Sequence, residues 1–329
     1  MIYSLSTGRS TPQMAALIAS VLLSTIGCTK SEDAVDFPTN PPRNSAQKAL
    51  ALPYPQEIAE WQASRATRLK AEGGWLSVVG LNWLKEGDNT FGSDRSSDIV
   101  FPSGPARGGI LRLQKGVVTL IPDPAADLRI EGQPAGQVKL SPDTSEKPTT
   151  ITTGSLSFFM IDRGGKIGLR LKDTEAAGRK NFKGLVYYPV DPEWKVEARF
   201  EAYQPVKVIP IQNIVGMVDN LPSPGALVFN LAGKEYRLDP VVEEGSDELF
   251  IIFRDQTSGR ETYGAGRYLY AKMPVARGAV TLDFNKAYNP PCAFTDFATC
   301  PLPPLQNRLD LAVTAGERKY EGHPDKTTG

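Results

Sequence analysis

The acidic residues of the C-terminal third include candidates for acid–base chemistry. Glycoside hydrolysis uses two carboxyl groups that face each other across a cleft, roughly 5 to 9 Å apart. Four side chains stand in stretches that look like motifs, namely Asp255, Asp283, Asp296 and Glu317. Positions along the chain do not fix the distances between them, and surface or turn-capping roles are the alternative. A histidine-free hydrolase that uses a pair drawn from Asp255, Asp283 and Glu317 is one hypothesis.

Three arginines of the same region, Arg254, Arg267 and Arg308, each have a carboxylate or an amide nearby in the chain. A guanidinium group holds a carboxylate or phosphate through two parallel hydrogen bonds, so arginines that converge would bind an anionic group. In the other interpretation each arginine ties a loop to a carboxylate. The sequence leaves both interpretations open.

Residues 283–308, the Pro-rich loop, must position much of this chemistry. The stretch contains five prolines in 26 residues and has neither helical nor strand periodicity, which predicts an ordered loop. The expected clamps are a disulfide between Cys292 and Cys300 and aromatic packing by Phe284, Tyr288, Phe294 and Phe297. The N-terminal targeting segment described below indicates an exported protein, and export favours a disulfide between these cysteines. A reactive pair and free core thiols are the alternatives.

We predict that the Pro-rich loop lines the functional pocket, because uncharged polar groups on a stiff wall are suited to fix a polar ligand. The ligand-binding candidates are Arg254, Tyr263, Arg267, Asn285, Tyr288, Asn289, Asn307 and Arg308. The competing view is that these polar side chains satisfy backbone atoms left unpaired by the prolines.

The single histidine, His323, lies in a polar tail. Nucleophile triads and zinc sites built on imidazoles are therefore disfavoured, and we expect no metal. Phosphate-binding and dinucleotide fingerprints are absent, so we expect no cofactor. Lys+Arg and Asp+Glu balance at 37 each, so nucleic acid is not an expected partner.

Residues 1–27 are typical of a targeting segment. The apolar run 14–26 is too short for a membrane span, which takes about 20 apolar residues, and it ends at Gly27-Cys28. It resembles a bacterial lipoprotein signal, which implies a lipid on Cys28; a plain signal peptide is the alternative. Residues 28–50 predict a flexible tether. We expect an extracytoplasmic lipoprotein of the cell envelope that meets the membrane through this anchor only.

Residues 55–72 predict a helix, with proline in the first turn and Gly73-Gly74 at the end. Short β-branched runs between Gly, Pro and Asp turns follow. We expect strands near 75–84, 90–91, 98–101, 109–113, 117–121, 128–130, 156–162, 167–171, 184–188, 195–202, 206–212, 226–231, 234–242, 248–254 and 279–284. The predicted fold is mainly β, with antiparallel sandwich or barrel-like sheets in two apposed halves and one N-terminal helix outside. The halves are 51–175 and 176–320, followed by a polar tail, 321–329.

The N-terminal half resembles a forkhead-associated-like β-sandwich at residues 86–92, 97–102 and 130–132. Phosphothreonine readers carry an arginine after the glycine and a Ser-x-x-His further on. Here Ser93 follows Gly92, and residues 108–111 contain no histidine. The resemblance implies the sandwich shape, and we reject phosphopeptide binding.

The C-terminal half carries longer motifs, FRDQTSG at 253–259, TYGAGRYL at 262–269, DFNKAYNP at 283–290, CPLPP at 300–304, NRL at 307–309 and AGE at 315–317. They resemble the signature of the bacterial family catalogued as domain of unknown function 1684, over roughly 61–320. The resemblance implies a β-rich fold and, in many members, an extracytoplasmic lipoprotein. It implies no established activity.

Two functional classes follow. The favoured hypothesis is a lipoprotein that binds a small polar or anionic ligand or a glycan in a pocket walled by the Pro-rich loop. The alternative is the glycoside-type hydrolase. Two facing carboxylates in a cleft beside aromatic side chains would favour the enzyme.

Overall fold

The fold is seen in a computed structural model that describes residues 53–274 and 278–322. The helices are α1 Tyr54–Lys70 and the single turn α2 Ala177–Lys180, with 3₁₀ turns at Trp75–Ser77, Pro192–Trp194, Phe284–Lys286, Pro291–Ala293 and Leu305–Asn307. The strands are β1 Val78–Trp83, β2 Gly87–Gly92, β3 Ile99–Val100, β4 Gly109–Gln114, β5 Val117–Pro122, β6 Arg129–Ile130, β7 Gln133–Pro134, β8 Val138–Lys139, β9 Thr150–Thr153, β10 Leu156–Arg163, β11 Lys166–Asp173, β12 Lys195–Gln212, β13 Val218–Leu231, β14 Lys234–Leu238, β15 Glu248–Phe253, β16 Arg267–Lys272 and β17 Ala279–Asp283. The predicted mainly β class is confirmed.

Helix α1 begins and ends close to its predicted limits. Glu57 in the first turn and Arg68 and Lys70 in the last turn complement the helix dipole. The chain then turns back so tightly that a Cβ atom on Gly74 would lie 2.3 Å from the carbonyl oxygen of Leu69. Only glycine fits at this turn, which explains why the helix ends here.

The helix packs on C-terminal residues, although the sequence assigned it to the N-terminal half. Tyr54 donates a hydrogen bond of 2.8 Å to Asp283. The buried side of the helix carries Arg65, whose Nε lies 3.2 Å from Oε2 of Glu317. A buried guanidinium needs a partner, and that partner is near the end of the chain.

Two sheets enclose the N-terminal core. One has the strand order β1-β11-β10-β9-β6-β7 and the other β3-β2-β4-β5-β8, and every pair is antiparallel except β2 with β3. Phe91 and Leu120 from one sheet and Phe158 and Leu169 from the other belong to a single buried cluster. The N-terminal strands thus form a β-sandwich, while its likeness to forkhead-associated domains stays a prediction.

Strand β11 lies inside the six-stranded sheet, and its side chains point alternately into the sandwich core and away from it. Successive side chains of a strand point to opposite faces. Leu169 and Leu171 point into the sandwich core, so Arg170 and Lys172 point out of it, on the face shared with Phe159 of β10, the cross-strand partner of Arg170. C-terminal segments cover this outer face.

The C-terminal part contains a four-stranded sheet, β14-β13-β12-β17, and the hairpin β15-β16. Leu249 and Ile251 of β15 join the core of the four-stranded sheet. Phe250 and Ile252, on the opposite face, join a second cluster with Ile211 and the Pro-rich loop. The hairpin is therefore a middle layer with a core on each side.

The predicted strands differ from the observed ones in a few places. The runs 195–202 and 206–212 are one strand, β12, whose pairing with β13 is interrupted between Ala202 and Lys207; Pro205 needs no partner there. Residues 184–188 form no strand and contribute only a bridge between Tyr187 and Glu317. Strands β7, β8, β9 and β16 were not predicted.

Within the described ranges, no helix has the length and apolar character needed to cross a membrane. The expected signal segment, the lipid-bearing Cys28, the tether and His323 lie outside the described residues.

Candidate functional site

The Pro-rich loop is ordered, as predicted, and its disulfide is present. Cys292 and Cys300 are bonded, with their Cα atoms 6.2 Å apart. Backbone bridges also join the loop to β16 and to the residue after β12. Among the expected aromatic clamps, Phe284 lies fully buried in a core and Tyr288 packs on β16, whereas Phe297 is exposed. The loop is thus fixed at several points along its length.

The three asparagines predicted to bind a ligand are buried and bond to the protein itself. Asn307 donates to the carbonyls of Asp239 and Ile252 at 2.9 and 3.0 Å. Asn285 and Asn289 likewise donate to backbone carbonyls at 2.8 Å. These contacts favour the view that such side chains satisfy backbone atoms.

The three candidate arginines do not converge on one point. Arg267 is completely buried, and its Nη2 donates to Asp255 and to the carbonyl of Val313, both at 2.9 Å. Arg254 and Arg308 have exposed side chains and meet through a backbone bridge. Arg267 therefore binds groups of the protein itself, while Arg254 and Arg308 face the surface.

The candidate carboxylates also sit in separate sets of contacts. Asp283 accepts the hydroxyl of Tyr54. Glu317 is paired with Arg65. Asp296 lies exposed and lines a cavity that is separate from the central cleft described below. Each of four cavities lined by described residues contains at most one of the four candidates. None of these four cavities therefore presents a facing pair of them.

Glu317 is the most enclosed of these carboxylates. Its side chain has no exposed surface, and the Nη2 of Arg65 donates to the carbonyl of nearby Asn289 at 2.8 Å. The same guanidinium lies 4.6 Å from the centre of the Tyr288 ring. Burial raises the pKa of the Glu317 carboxyl, and the charge of Arg65 opposes that rise. The cluster joins α1 to the Pro-rich loop.

A cavity of about 730 Å³, the central cleft, lies between the N-terminal sandwich and the second C-terminal core. One wall is the outer face of β10 and β11. The other comes from the hairpin β15-β16, the far ends of β12 and β13, and the Pro-rich loop. Lining residues include Arg170, Lys172, Phe250, Tyr268, Tyr288 and Pro301.

Arg170 is the unusual group of the central cleft. It is 4% exposed, and its Nε and Nη2 atoms have no hydrogen-bond partner among the described residues. Its Cζ lies 5.1 Å from the centre of the Trp75 ring. Burial, with a further contribution from the charge of Arg163, lowers the pKa of Arg170 to about 10. The group therefore stays cationic at neutral pH.

The other cations of this wall have partners. Lys172 donates to the carbonyl of Gly73 at 2.6 Å, and its Nζ lies 5.2 Å from the centre of the Phe159 ring. Burial lowers the pKa of Lys172, and the charge of Arg170 adds to this effect. Arg163 forms an ion pair of 2.7 Å with Asp143. Arg170 differs from them because its Nε and Nη2 have no hydrogen-bond partner within the described ranges, although the charge of Asp143 partly opposes the lowering of its pKa.

Tyrosines form the opposite wall. The Tyr270 ring stacks between Phe250 and Tyr288, with centroid distances of 4.8 and 6.4 Å. Tyr268 meets Phe250 edge-on at 4.9 Å. Burial raises the pKa of all three tyrosines, so their hydroxyls stay protonated. Tyr263, also predicted as a ligand residue, donates to a carbonyl of the Pro-rich loop and lies outside the cleft.

No set of three or more His, Cys, Asp or Glu side chains in the described ranges is arranged to hold a metal ion.

The sequence prediction placed Tyr288 in the pocket but missed Arg170. Alternation with Leu169 and Leu171 does indicate that Arg170 leaves the sandwich core. An arginine that leaves a core is ordinarily solvated, but this one is buried beside Trp75, in the wall of a cleft whose other wall comes from C-terminal segments. No local signal in the sequence indicates that C-terminal segments lie across the cleft from Arg170.

The structure is mainly β, and its central cleft is lined by aromatic side chains and by charged side chains of both signs. The sequence profile described as "Protein of unknown function (DUF1684)" matches residues 180–318. The chain belongs to this family, and the match is shorter than the span of 61–320 expected from the motifs.

A solved relative comes from Haloarcula marismortui. This uncharacterized protein, determined by NMR in solution, is 36% identical over 43% of this chain and 78% of its own, with a TM-score of 0.37. Comparison with curated proteins gave no match.

Proposed function

We propose that the protein binds a small organic anion in the central cleft and that Arg170 meets its negative charge. The observation that carries this proposal is a guanidinium that is 4% exposed and has two N–H-bearing nitrogens without partners. Buried charges in proteins are normally paired, because an uncompensated one costs several kcal/mol. A ligand carboxylate or phosphate would supply the missing partner through two parallel hydrogen bonds.

The rest of the cleft suits the body of such a ligand. Its volume of about 730 Å³ lies within the range of roughly 300 to 1,000 Å³ that small-molecule sites occupy. Phe250, Tyr268 and Tyr288 offer aromatic surface, and Pro301 belongs to the stiff Pro-rich loop. An apolar or aromatic body would pack there while Arg170 fixes its anionic end. The hydrolase alternative has less support, because none of four cavities in the described part of the chain is lined by two of its candidate carboxylates.

We place this binding in the cell envelope, with the chain anchored through Cys28. The support is the apolar run that ends at a cysteine and the polar stretch that follows it. Cys28→Ser should move the protein from the membrane fraction to the soluble fraction. Unchanged fractionation would contradict the anchor and leave the cleft proposal intact.

The binding proposal is tested with a matched pair of probes, 3-phenylpropionate and its neutral amide. A ligand that binds only the folded state raises its stability, by about 2.7 kcal/mol at a hundred times Kd. We expect the carboxylate to raise the melting temperature of the wild-type protein and the amide to have little effect. Arg170→Met should abolish the response. Arg95→Met, at an exposed site outside the cleft, should retain it.

Two results would contradict the proposal. One is an equal shift with the amide, which would show that the charge is not recognised. The other is an unchanged response in Arg170→Met, which would place the anion elsewhere.

A further inference from the structure

The central cleft also has an acidic side. Asp219, Glu243 and Glu244 line it from β13 and from the segment between β14 and β15. Glu243 accepts a hydrogen bond of 2.6 Å from the hydroxyl of Tyr270. Asp219 and Glu244 are exposed and have no hydrogen-bond or ion-pair partner among the described residues. We call these three carboxylates the acidic rim.

Three cations of the cleft belong to the opposite wall, since Arg163, Arg170 and Lys172 come from β10 and β11 of the sandwich. The fourth, Arg65 of α1, is held by Glu317. On the N-terminal wall Arg170 is thus a buried cation and Asp143 is held by Arg163, while the rim on the C-terminal side is negative and exposed. A second anionic group on the ligand would face the acidic rim and be repelled, whereas a cationic group there would be attracted.

Between these charges the lining is apolar and aromatic. Ile211 and Leu221 face the cleft from β12 and β13, and Phe250 and Tyr268 face it from the β15-β16 hairpin. A ligand that uses the whole cleft therefore has an anionic end, an apolar middle and a cationic end. A free α-amino acid has its carboxylate and ammonium groups on one carbon, so it has no apolar segment between them to pack on this middle.

We propose that the ligand is a short peptide with free termini. Its C-terminal carboxylate pairs with Arg170, its side chains pack on the aromatic wall, and its N-terminal ammonium lies against Glu244 and Asp219. This inference rests on the anion site proposed above and adds the class of ligand and the role of the acidic rim.

Three peptides that differ only at their ends test it, Phe-Phe, N-acetyl-Phe-Phe and Phe-Phe amide, each titrated by calorimetry. We expect Phe-Phe to bind. A hydrogen bond to a charged group contributes about 1.5–3 kcal/mol, so amidation should weaken binding by about 10- to 150-fold. Acetylation removes the ammonium charge at the more exposed rim, and we expect a loss of about two- to fivefold.

Rim variants assign the acetylation effect to its residues. In the double variant Asp219→Asn with Glu244→Gln, Phe-Phe and its acetylated form should bind alike. Asp247→Asn, at an exposed site near Glu244 but outside the lining, should behave as the wild-type protein. Both altered rim residues are exposed, so the substitutions leave the core unchanged.

The outcomes separate this inference from the anion site. If acetylation has no effect while amidation weakens binding, the anion site stands and the peptide proposal is overturned. If 3-phenylpropionate binds and none of the peptides does, the anion site again stands and the peptide proposal is again overturned. If neither 3-phenylpropionate nor any peptide binds, both proposals are overturned.

Discussion

Two buried arginines of this chain have opposite surroundings. Arg267, on β16, has no exposed surface, and its Nη atoms donate to Asp255 and to the carbonyls of Val313 and Ala315. Arg170, on β11, is 4% exposed and has Nε and Nη2 without partners. The fold gives both Nη atoms of Arg267 partners and leaves only its Nε without one, whereas Arg170 lines the central cleft with neither Nε nor Nη2 bonded.

This difference shows which arginine holds the protein together. A buried charge with its hydrogen bonds made is part of the structure, and removing one partner leaves the other uncompensated. A buried charge without partners makes the ligand-free fold less stable than an apolar side chain would, a cost typical of functional sites. The two arginines should therefore respond oppositely to the same substitution.

The largest effect is expected at the paired arginine. Arg267→Met leaves Asp255 buried without its cation, and we expect a loss of about 3–5 kcal/mol in the free energy of unfolding. Urea titration of the wild-type and variant proteins measures it. A loss below about 1 kcal/mol, the range of an exposed ion pair, would show that this pair is not a structural centre.

The disulfide tests the cleft wall independently of either arginine. A bond that closes a loop over a sequence separation of 8 stabilises the fold by about 2.5 kcal/mol in the chain-entropy model. Cys292→Ser with Cys300→Ser should lower the free energy of unfolding by that amount. A reducing agent should have the same effect on the wild-type protein and none on the double variant. Equal stability with and without the bond would mean that the backbone bridges alone fix the loop.

Glu317 extends the comparison to a buried carboxylate. Burial raises its pKa in the folded state above the ordinary value of 4.5. The folded state therefore binds this proton more tightly than the unfolded state does. The resulting stability is fully present below pH 4.5 and is lost as the pH rises through the raised value, by at most about 1.4 kcal/mol per pH unit.

Denaturation of Glu317→Gln, from below pH 4.5 to above the raised pKa, checks whether stability is lost as the pH rises. The variant should lack this pH-dependent contribution, although it also weakens the contact with Arg65. Glu72→Gln, at an exposed position, should keep the wild-type profile. A Glu317→Gln profile parallel to that of the wild-type protein would contradict a raised pKa.

The smallest effect is expected at the unpaired arginine, and its sign is the informative part. Arg170→Met removes a buried cation that has no partner and keeps an apolar stem against Trp75. In the absence of ligand we expect the free energy of unfolding to rise by about 1 kcal/mol. Arg95→Met should change it by less than about 0.5 kcal/mol. A clear loss of stability in Arg170→Met would mean that the fold itself depends on this charge.

The elements were more predictable than the site because their signals are local. Gly73-Gly74 ends α1, and the alternation around Leu169 and Leu171 gives β11 its core face. Strand β9, Thr150–Thr153, was missed because four residues pair mainly through neighbours that the sequence does not reveal. The two-sided packing of β15 is likewise a property of the assembled layers.

The site depends on contacts between distant parts of the chain. The Pro-rich loop was expected to wall a pocket, and Tyr288 and Pro301 do line the central cleft. Asn285, Asn289 and Asn307 instead donate to backbone carbonyls of segments outside the loop, those of Asp191, Arg318 and Ile252. The position of Arg170 in the wall of the central cleft depends on the packing of the C-terminal half against the sandwich, which the sequence does not show.

The most direct test observes the two guanidinium groups in one experiment. The Nε–H signals of Arg170 and Arg267 can be assigned in a nitrogen–proton NMR spectrum by their loss in the two methionine variants. On titration with 3-phenylpropionate, we expect the Arg170 signal to move downfield as it forms charge-assisted hydrogen bonds, while the Arg267 signal stays in place. A stationary Arg170 signal at concentrations of the probe that raise the melting temperature would contradict the central claim that this arginine receives the ligand's charge.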